Sequence, residues 1–109
     1  MENISFDDFV KVQLKTAKIL EAEKVEKSNK LIKMQIEVGE EKRQLVAGIG
    51  KAYTPEDLVG KTIIVVANLE PKSLMGIESQ GMLLAATDEE GLPILLSPEK
   101  EVASGIQIK

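Results

Sequence analysis

The 109-residue chain contains no cysteine and no histidine. Without cysteine it can form neither a disulfide nor a thiolate metal site, which is typical of proteins from a reducing compartment. Without histidine, a Ser-His-Asp triad, a histidine-ligated zinc ion and acid–base catalysis by imidazole are all excluded. Because these chemistries underlie most common active sites, we expect a domain that is not itself an enzyme.

The chain also lacks a long apolar run. No stretch reaches the roughly 18 consecutive apolar residues that a membrane-spanning helix needs. Residues 1–10 carry acidic side chains where a signal peptide would begin with a basic and then an apolar region. These features favour a cytoplasmic protein without membrane contact. A chain of this length is expected to form a single domain, residues 1–109.

Aromatic residues are scarce, since Phe6, Phe9 and Tyr53 are the only three. Proteins that bind single-stranded nucleic acid without sequence preference usually stack the bases on aromatic side chains. Two of the three aromatic residues lie in the N-terminal segment, so the chain has too few aromatic side chains elsewhere to bind single strands by base stacking.

The net charge is −4, but the charges are unevenly distributed along the chain. Residues 11–51 carry ten Lys and Arg against six Asp and Glu, whereas residues 1–10, 52–85 and 86–109 are each acidic overall. A basic region can bind phosphate groups, although an excess of this size is often only a solvated surface. The charge pattern therefore permits a nucleic-acid site within residues 11–51 without establishing one.

The alternation of apolar and polar residues predicts mainly β structure. Residues 31–38 alternate strictly, and residues 43–49 follow after a turn at Gly39, which predicts a hairpin. Further strands are expected over the apolar segments 62–67, 82–87, 92–96 and 106–108.

Two short helices are indicated by their capping residues. Ser5 followed by Asp8 resembles a capping box, and Thr54 precedes a proline at the first helical position. The second helix is expected to end before Gly60, because glycine readily adopts the backbone conformation found after a helix.

Residues 12–25 are ambiguous, because their composition favours a helix while Val12 and Leu14 alternate as in a strand. If the segment is a strand, the change of its apolar positions from even numbers to odd ones, Ala17 and Ile19, predicts a β-bulge. Five or more short strands with a helix between the third and fourth then predict a closed antiparallel barrel of the oligonucleotide-binding type, the OB-fold.

Two motifs that could bind phosphate or a metal ion are incomplete. Residues 76–81 have the glycine spacing of a phosphate-binding loop, but Met82 stands where the lysine is required. Residues 88–91, Asp-Glu-Glu-Gly, are more typical of a solvated hairpin turn than of a cation site. We therefore expect no metal ion and no cofactor.

Several segments of the chain together resemble a known family. They are residues 30–33 (KLIK), 46–49 (VAGI), 53–61 (YTPEDLVGK), 66–72 (VANLEPK) and 76–86 (GIESQGMLLAA). These segments resemble the tRNA-binding domain at the C-terminus of methionyl-tRNA synthetases, which also occurs as a free-standing, structure-specific tRNA-binding protein. The resemblance extends from about Phe6 to Lys109.

The resemblance implies an all-β fold, a five-stranded Greek-key OB barrel with short helices and terminal extensions, in which residues 12–25 are a strand. It implies a homodimer that binds the outer corner of tRNA by shape rather than by sequence. A methionyl-tRNA synthetase catalytic domain, covalently attached or associated, is a further partner that it implies. Folded RNA also suits a chain with few aromatic residues, because it is recognised through its shape, backbone and 2′-hydroxyl groups.

The resemblance also gives a set of candidate RNA-binding residues. The set consists of Lys30, Lys33, Lys51, Asn68, Lys72, Ser79 and Met82. Its lysines would contact phosphates, and the Ser79 hydroxyl would contact the RNA directly. For three members another role stays open: Lys33 as an ordinary outward strand residue, Asn68 as a residue that closes a turn, and Met82 as part of the core.

The loop of residues 69–81, which we name the ledge, is unusually apolar. Leu74, Met75 and Ile77 either pack beneath it and hold Lys72 and Ser79 in place, or face the RNA as an apolar platform. We expect the first arrangement, because it requires no ligand to be stable.

The ledge also departs from its relatives. Glu70 and Ser73 occupy positions at which related domains often carry basic residues. We therefore expect modest affinity for tRNA and a shallow salt dependence of binding. Two other roles stay open: binding of unfolded peptides, as in a dimeric export chaperone of the same fold, and dimerisation of a parent synthetase.

Overall fold

The computed structural model describes residues 1–109 as mostly β structure with two one-turn helices. In chain order the elements are α1 Phe6–Phe9, β1 Leu14–Lys24, β2 Ile32–Val38, β3 Glu41–Ala47, α2 Pro55–Leu58, β4 Thr62–Val66, β5 Lys72–Leu74, β6 Ile77–Ser79, β7 Met82–Leu83, β8 Ala85–Thr87, β9 Pro93–Leu95 and β10 Gln107–Ile108. Neither helix is long and apolar enough to cross a membrane.

One antiparallel sheet forms the body of the molecule, with the strand order β3-β2-β1-β4-β7. β10 pairs with the start of β1, while β5–β6 and β8–β9 form two separate hairpins. The sheet curls until its edge strand β3 meets the chain around β6 and β7. The predicted all-β barrel of the OB type is confirmed.

The core lies inside this curled sheet. β2 alternates as predicted, with its even-numbered residues buried and its odd-numbered residues partly exposed. Leu58 of α2 is fully buried among the strand residues, so the short helix closes part of the core. The cluster consists of Ala17, Ile19, Ile32, Met34, Ile36, Val38, Leu45, Ile49, Leu58, Ile63, Val65 and Leu83.

Residues 12–25, which the pattern left undecided, contain strand β1. β1 does contain a bulge, because its pairing with β2 is irregular between Ile19 and Glu21, but this bulge lies after the predicted change of parity. Ala17 and Ile19 face the core before the bulge, and Ala22 packs against the same core after it. The pattern had placed the bulge before Ala17, which was wrong.

The C-terminal segment explains why the early even-numbered positions of β1 are not solvated. Leu14 pairs with Ile108 of β10. The hydroxyl of the buried Thr16 donates a hydrogen bond of 2.8 Å to the carbonyl of Ala103 and accepts one of 2.9 Å from the N–H of Ile106. Both faces of β1 are therefore covered here, so its apolar positions change parity without a bulge.

Both predicted helix caps are confirmed. The Ser5 hydroxyl accepts a 3.0 Å hydrogen bond from the N–H of Asp8 at the start of α1. The Thr54 hydroxyl accepts a 3.3 Å bond from the N–H of Asp57, and Gly60 follows α2 with a φ of +93°. Each cap satisfies an N–H group that a helix of one turn cannot satisfy by itself.

The apolar segment 82–87, predicted as one strand, is divided into β7 and β8. β7 pairs with β4, whereas β8 pairs with β9. Between them, Leu84 donates its N–H to the carbonyl of Ile64 and accepts from the N–H of Leu96. The chain thus changes partner at Leu84, which alternation within the segment could not reveal.

The acidic segment 88–91 forms the turn between β8 and β9, as predicted. Oδ1 of Asp88 accepts hydrogen bonds of 2.9 Å from the N–H groups of both Glu90 and Leu92. This carboxylate therefore closes the hairpin turn, a role that aspartate commonly has.

The N-terminal segment carries large apolar side chains that are exposed to solvent. α1 buries none of its residues, and Ile4, Phe6, Phe9 and Val10 are all exposed. Exposed large apolar residues so close together in sequence are unusual in a soluble monomer. They form an apolar N-terminal face, defined by these four residues.

Candidate nucleic-acid interface

The ledge is a structured hairpin. β5 and β6 pair with Leu74 opposite Ile77, and the two-residue turn between them, Met75 and Gly76, has φ values of +50° and +79°. Such left-handed values at both positions are the geometry of the tight turns that best fit the twist of a hairpin. The ledge therefore has a defined shape in the absence of RNA.

Two of the three apolar ledge residues pack beneath it. Leu74 and Ile77 lie against a small buried cluster of Val25, Leu31 and Val46. Met75, at the tip of the turn, is instead 58% exposed. The expectation of packing from below is thus met for Leu74 and Ile77, whereas Met75 faces solvent.

A groove runs along the ledge and brings four of the seven candidate residues together. Its volume is about 570 Å³, and Lys72 and Met82 at its rim are exposed, Met82 by 49%. Exposure of Met82 excludes the core role that had been left open for it. The groove is lined by Val46, Asn68, Leu69, Glu70, Lys72, Leu74, Ser79, Gly81 and Met82.

Ser79 lies in this groove but its side chain is engaged within the domain. The residue is only 4% exposed. Its hydroxyl accepts a 3.0 Å hydrogen bond from the N–H of Val46 and donates one of 3.0 Å to the carbonyl of Gly81. The predicted direct contact of this hydroxyl with RNA is therefore not available in this conformation.

Asn68 uses both ends of its side-chain amide to hold the N-terminal segment. Its Oδ1 accepts a 2.9 Å hydrogen bond from the N–H of Gln13, and its Nδ2 donates to the carbonyl of Lys11 at 2.6 Å. These bonds differ from the local turn-closing role that had been left open for Asn68, because both partners are more than fifty residues away in sequence.

Lys30 and Lys51 lie next to each other beyond the ends of β2 and β3. The N–H of Gly50 donates a 2.6 Å hydrogen bond to the carbonyl of Lys30, and the aliphatic part of the Lys30 side chain lies over Gly48. A Cβ atom at Gly50 would lie 2.8 Å from that carbonyl oxygen, so only glycine allows this approach. Both lysines are exposed, and the bond from Gly50 brings the backbone next to Lys51 against that of Lys30.

Lys33 lies apart from the groove, on the outer face of β2. Its Nζ is 2.7 Å from a carboxylate oxygen of Glu23 on β1. It also lines a second depression, of about 630 Å³, with the β1–β2 turn and the ledge residues Met75 and Ile77. Lys33 is thus an outward strand residue that nevertheless faces the side of the ledge.

Sequence reasoning did not identify three further polar residues around the ledge. Arg43 donates to the carbonyl of Ala67, just before Asn68, and Gln44 and Gln80 bond to each other across the barrel seam. Residues 41–44 are four successive charged or polar residues, so the sequence of β3 does not indicate which face Gln44 occupies. The loop that it meets depends on how the barrel closes, which no local pattern indicates.

The same guanidinium influences a neighbouring carboxylate. Nη2 of Arg43 lies 3.0 Å from Oε1 of Glu41. Its hydrogen bond and its positive charge lower the pKa of the Glu41 carboxyl from its ordinary value. Arg43 therefore joins β3 to the end of β4 while its charge is partly balanced.

Comparison with known proteins shows what this geometry belongs to. Residues 14–107 match the family model described as "Putative tRNA binding domain". The chain belongs to this tRNA-binding domain family. It is 62% identical over 108 residues to the methionine–tRNA ligase of Caldanaerobacter subterraneus subsp. tengcongensis, and 58% identical over 108 residues to that of Methanococcus aeolicus. These matches cover 99% of the chain but only 17% and 16% of the two ligases, so the chain spans about a sixth of their length.

Two solved structures share the fold over their whole length. A MetRS-related protein from Pyrococcus horikoshii superposes with a TM-score of 0.93 at 41% identity, with 100% of both chains covered. The chaperone CsaA from Bacillus anthracis superposes with a TM-score of 0.90 at 33% identity, covering 99% of this chain and 100% of that one. One barrel therefore serves both a synthetase-related protein and a chaperone.

Proposed function

We propose that the chain binds folded tRNA by its shape rather than its sequence, either as a domain of a methionyl-tRNA synthetase or as a free-standing protein. The observation that carries this proposal is the preformed ledge groove, with Lys72 and Met82 exposed at its rim, in a member of the tRNA-binding domain family. A rigid surface that exists before binding loses little conformational entropy when RNA docks.

Each exposed candidate has a distinct role in this proposal. Lys72, Lys30 and Lys51 contact phosphates, which positions the RNA without reading its sequence. Met82 offers an apolar, polarizable surface to a ribose or base. Lys33 joins them only by exchanging its Glu23 partner for a phosphate, so we expect it to contribute less.

Asn68 supports RNA binding indirectly in this proposal. Its amide is used by Lys11 and Gln13, so it anchors the N-terminal segment at the groove rather than bonding to RNA. The domain itself performs no catalysis, and a methionyl-tRNA synthetase catalytic domain is its proposed partner. A cytoplasmic location follows from tRNA as the ligand.

We also propose that the chain acts as a homodimer through the apolar N-terminal face. That face is exposed, and a second copy of the chain would supply the partner that its own core does not. Dimerisation presents two ledges to one RNA, which raises the apparent affinity without any new type of contact.

Binding of purified protein to unfractionated tRNA, and to single-stranded RNA of equal length, tests the RNA proposal across a salt series. We expect the wild-type protein to prefer tRNA. The Lys72→Glu variant should bind tRNA about tenfold or more weakly, because one attractive phosphate contact becomes a repulsion. Lys100→Glu makes the same charge change at an exposed residue away from the ledge and serves as the matched control. Equal binding of both RNAs, or no binding, would contradict the proposal.

Peptide binding is a second candidate function, supported by the similarity to the CsaA chaperone and by the apolar residues Val46, Leu69 and Leu74 in the groove. Competition between tRNA and a denatured polypeptide for the wild-type protein distinguishes the two functions. If unlabelled denatured polypeptide displaces a labelled polypeptide from the protein and tRNA does not bind, the result would favour the chaperone role.

A further inference from the structure

The seam of the barrel is closed largely by side chains. β3 is the edge strand of the sheet, and two of its N–H groups point towards the ledge. The N–H of Val46 donates to the Ser79 hydroxyl at 3.0 Å, and the N–H of Gln44 donates to Oε1 of Gln80 at 2.9 Å. In an ordinary strand ladder both groups would meet backbone carbonyls. We name these four residues the seam clamp.

Two further hydrogen bonds make the seam clamp reciprocal. The N–H of Gln80 donates to the carbonyl of Gln44 at 2.7 Å, and Nε2 of Gln44 donates to the carbonyl of Glu78 at 2.8 Å. Oε1 of Gln44 in turn accepts from Gln35 on β2, at 3.0 Å. The ledge is thus tied to the sheet through an unbroken chain of hydrogen bonds.

The Ser79 hydroxyl has no proton left for RNA. A hydroxyl has a single O–H to donate, and Ser79 gives it to the carbonyl of Gly81 while it accepts from Val46. With the residue 4% exposed, contact with RNA would require the seam to open and would leave the N–H of Val46 buried without a partner.

The position of Ser79 connects the seam clamp to the exposed candidates. Ser79 lies directly opposite Lys72 in the β5–β6 pairing. Gly81, whose carbonyl accepts the hydrogen bond from Ser79, is packed so closely that an added Cβ would lie 3.0 Å from the carbonyl oxygen of Val66. Met82 follows Gly81 in the chain. A shift of Ser79 would therefore displace Lys72 on one side and Met82 on the other.

We infer that Ser79 and Gln80 are positioning residues, which lock the ledge to β3 and so place Lys72 and Met82 for contact with RNA without touching it themselves. This inference rests on the proposed tRNA-binding function. It separates two groups within the same loop: side chains that face the ligand, and side chains that fix the loop. It also gives the serine of the ESQG segment a role in RNA binding without a direct contact.

A double-mutant cycle of Ser79→Ala and Lys72→Gln, measured by tRNA binding across a salt series, tests the inference. Ser79→Ala alone is expected to weaken tRNA binding about tenfold. It should also make the negative slope of log K against log salt shallower by up to about one, because the Lys72 phosphate contact is lost. In the Lys72→Gln background the same change should cost less than threefold. A second cycle with Lys100→Gln in place of Lys72→Gln serves as the matched control. In the Lys100→Gln background, Ser79→Ala should still weaken tRNA binding about tenfold.

A direct contact between Ser79 and RNA predicts the opposite pattern. Ser79→Ala would then cost the same in both backgrounds and leave the salt slope unchanged, and either result overturns the inference. Unchanged tRNA binding by Ser79→Ala overturns it as well. If the wild-type protein does not bind tRNA at all, the proposed function fails first, so the two failures are distinguishable.

Amide hydrogen exchange in the free protein gives a readout that does not depend on RNA. We expect Ser79→Ala to speed exchange at Val46 and Gln80→Met to speed it at Gln44, each by at least tenfold, while core amides of β1 remain protected. If Ser79→Ala prevents folding, Gln80→Met carries the same cycle with Lys72→Gln. Unchanged exchange at both amides would contradict the seam clamp itself.

Discussion

At the scale of single residues, Gly50 determines whether Lys30 and Lys51 lie together. Gly50→Ala would place a methyl group 2.8 Å from the Lys30 carbonyl oxygen, whereas the nearest atoms to a methyl at Gly48 lie 3.7 Å away. We expect Gly50→Ala to destabilise the domain by about 1–3 kcal/mol through overpacking and to weaken tRNA binding, and Gly48→Ala to do neither. Thermal unfolding and tRNA titration of both variants provide the measurement. Equal behaviour of the two variants would refute this role of Gly50.

Arg43 offers a prediction about pH. Because its guanidinium lowers the pKa of the Glu41 carboxyl, Arg43→Gln should raise that pKa towards its ordinary value, and NMR titration of the Glu41 side chain measures this. A carboxyl whose pKa is lower in the folded state favours folding above its unfolded pKa, and this contribution disappears as the pH falls through the folded pKa. Lys42→Gln, which removes a neighbouring cation that does not contact Glu41, should leave the Glu41 pKa unchanged. A Glu41 pKa that does not respond to Arg43→Gln would exclude Arg43 as the cause.

At the scale of elements, the sequence was informative wherever local chemistry decides the structure. The alternation of β2, the caps at Ser5 and Thr54 and the Asp88 turn were all predicted and confirmed, because each depends on residues within a few positions. The position of the β1 bulge was missed because the C-terminal segment covers Thr16 from about ninety residues away in sequence. Local pattern carries no information about such a cover.

The same distinction separates the predictable part of the candidate site from the rest. Lys72 and Met82 were expected to be available, and the structure places both at the rim of the groove. Burial of Ser79 could not be read from its neighbours, because its partner Val46 is 33 positions away and meets it only when the barrel closes. The residue types exposed on a surface loop can be read from the local sequence. Burial where the barrel closes depends on which distant strands meet there.

Helix α2 makes a contribution to stability that is testable at this scale. Leu58 is 0% exposed and packs into the main core, whereas its neighbour Val59 is 51% exposed. We expect Leu58→Ala to lower the free energy of unfolding by about 2–5 kcal/mol, through lost burial and a residual cavity, and Val59→Ala to change it by less than about 0.5 kcal/mol. Chemical denaturation compares the two variants. Similar losses in both would mean that α2 does not close the core.

At the scale of the whole molecule, a net charge of −4 has to be reconciled with binding to a polyanion. The lysines of the proposed site are few, and Glu70 lines the groove beside Lys72. A single domain should therefore make few phosphate contacts and show a shallow salt dependence. Useful affinity then depends on presenting two sites to one RNA, which makes the oligomeric state part of the proposed function.

The apolar N-terminal face provides the test of this dependence. Phe6 is 75% exposed and α1 buries none of its residues, so Phe6→Asp should leave the fold of the domain intact. It should convert a dimer into a monomer in sedimentation velocity and weaken tRNA binding by at least tenfold, because bivalent attachment is lost. Val59→Asp introduces the same charge at another exposed apolar residue and should change neither property. The proposal would be contradicted if the wild-type protein were monomeric and bound tRNA as tightly as the Phe6→Asp variant does. One ledge would then be sufficient, and the affinity for tRNA would have to come from contacts made by a single barrel.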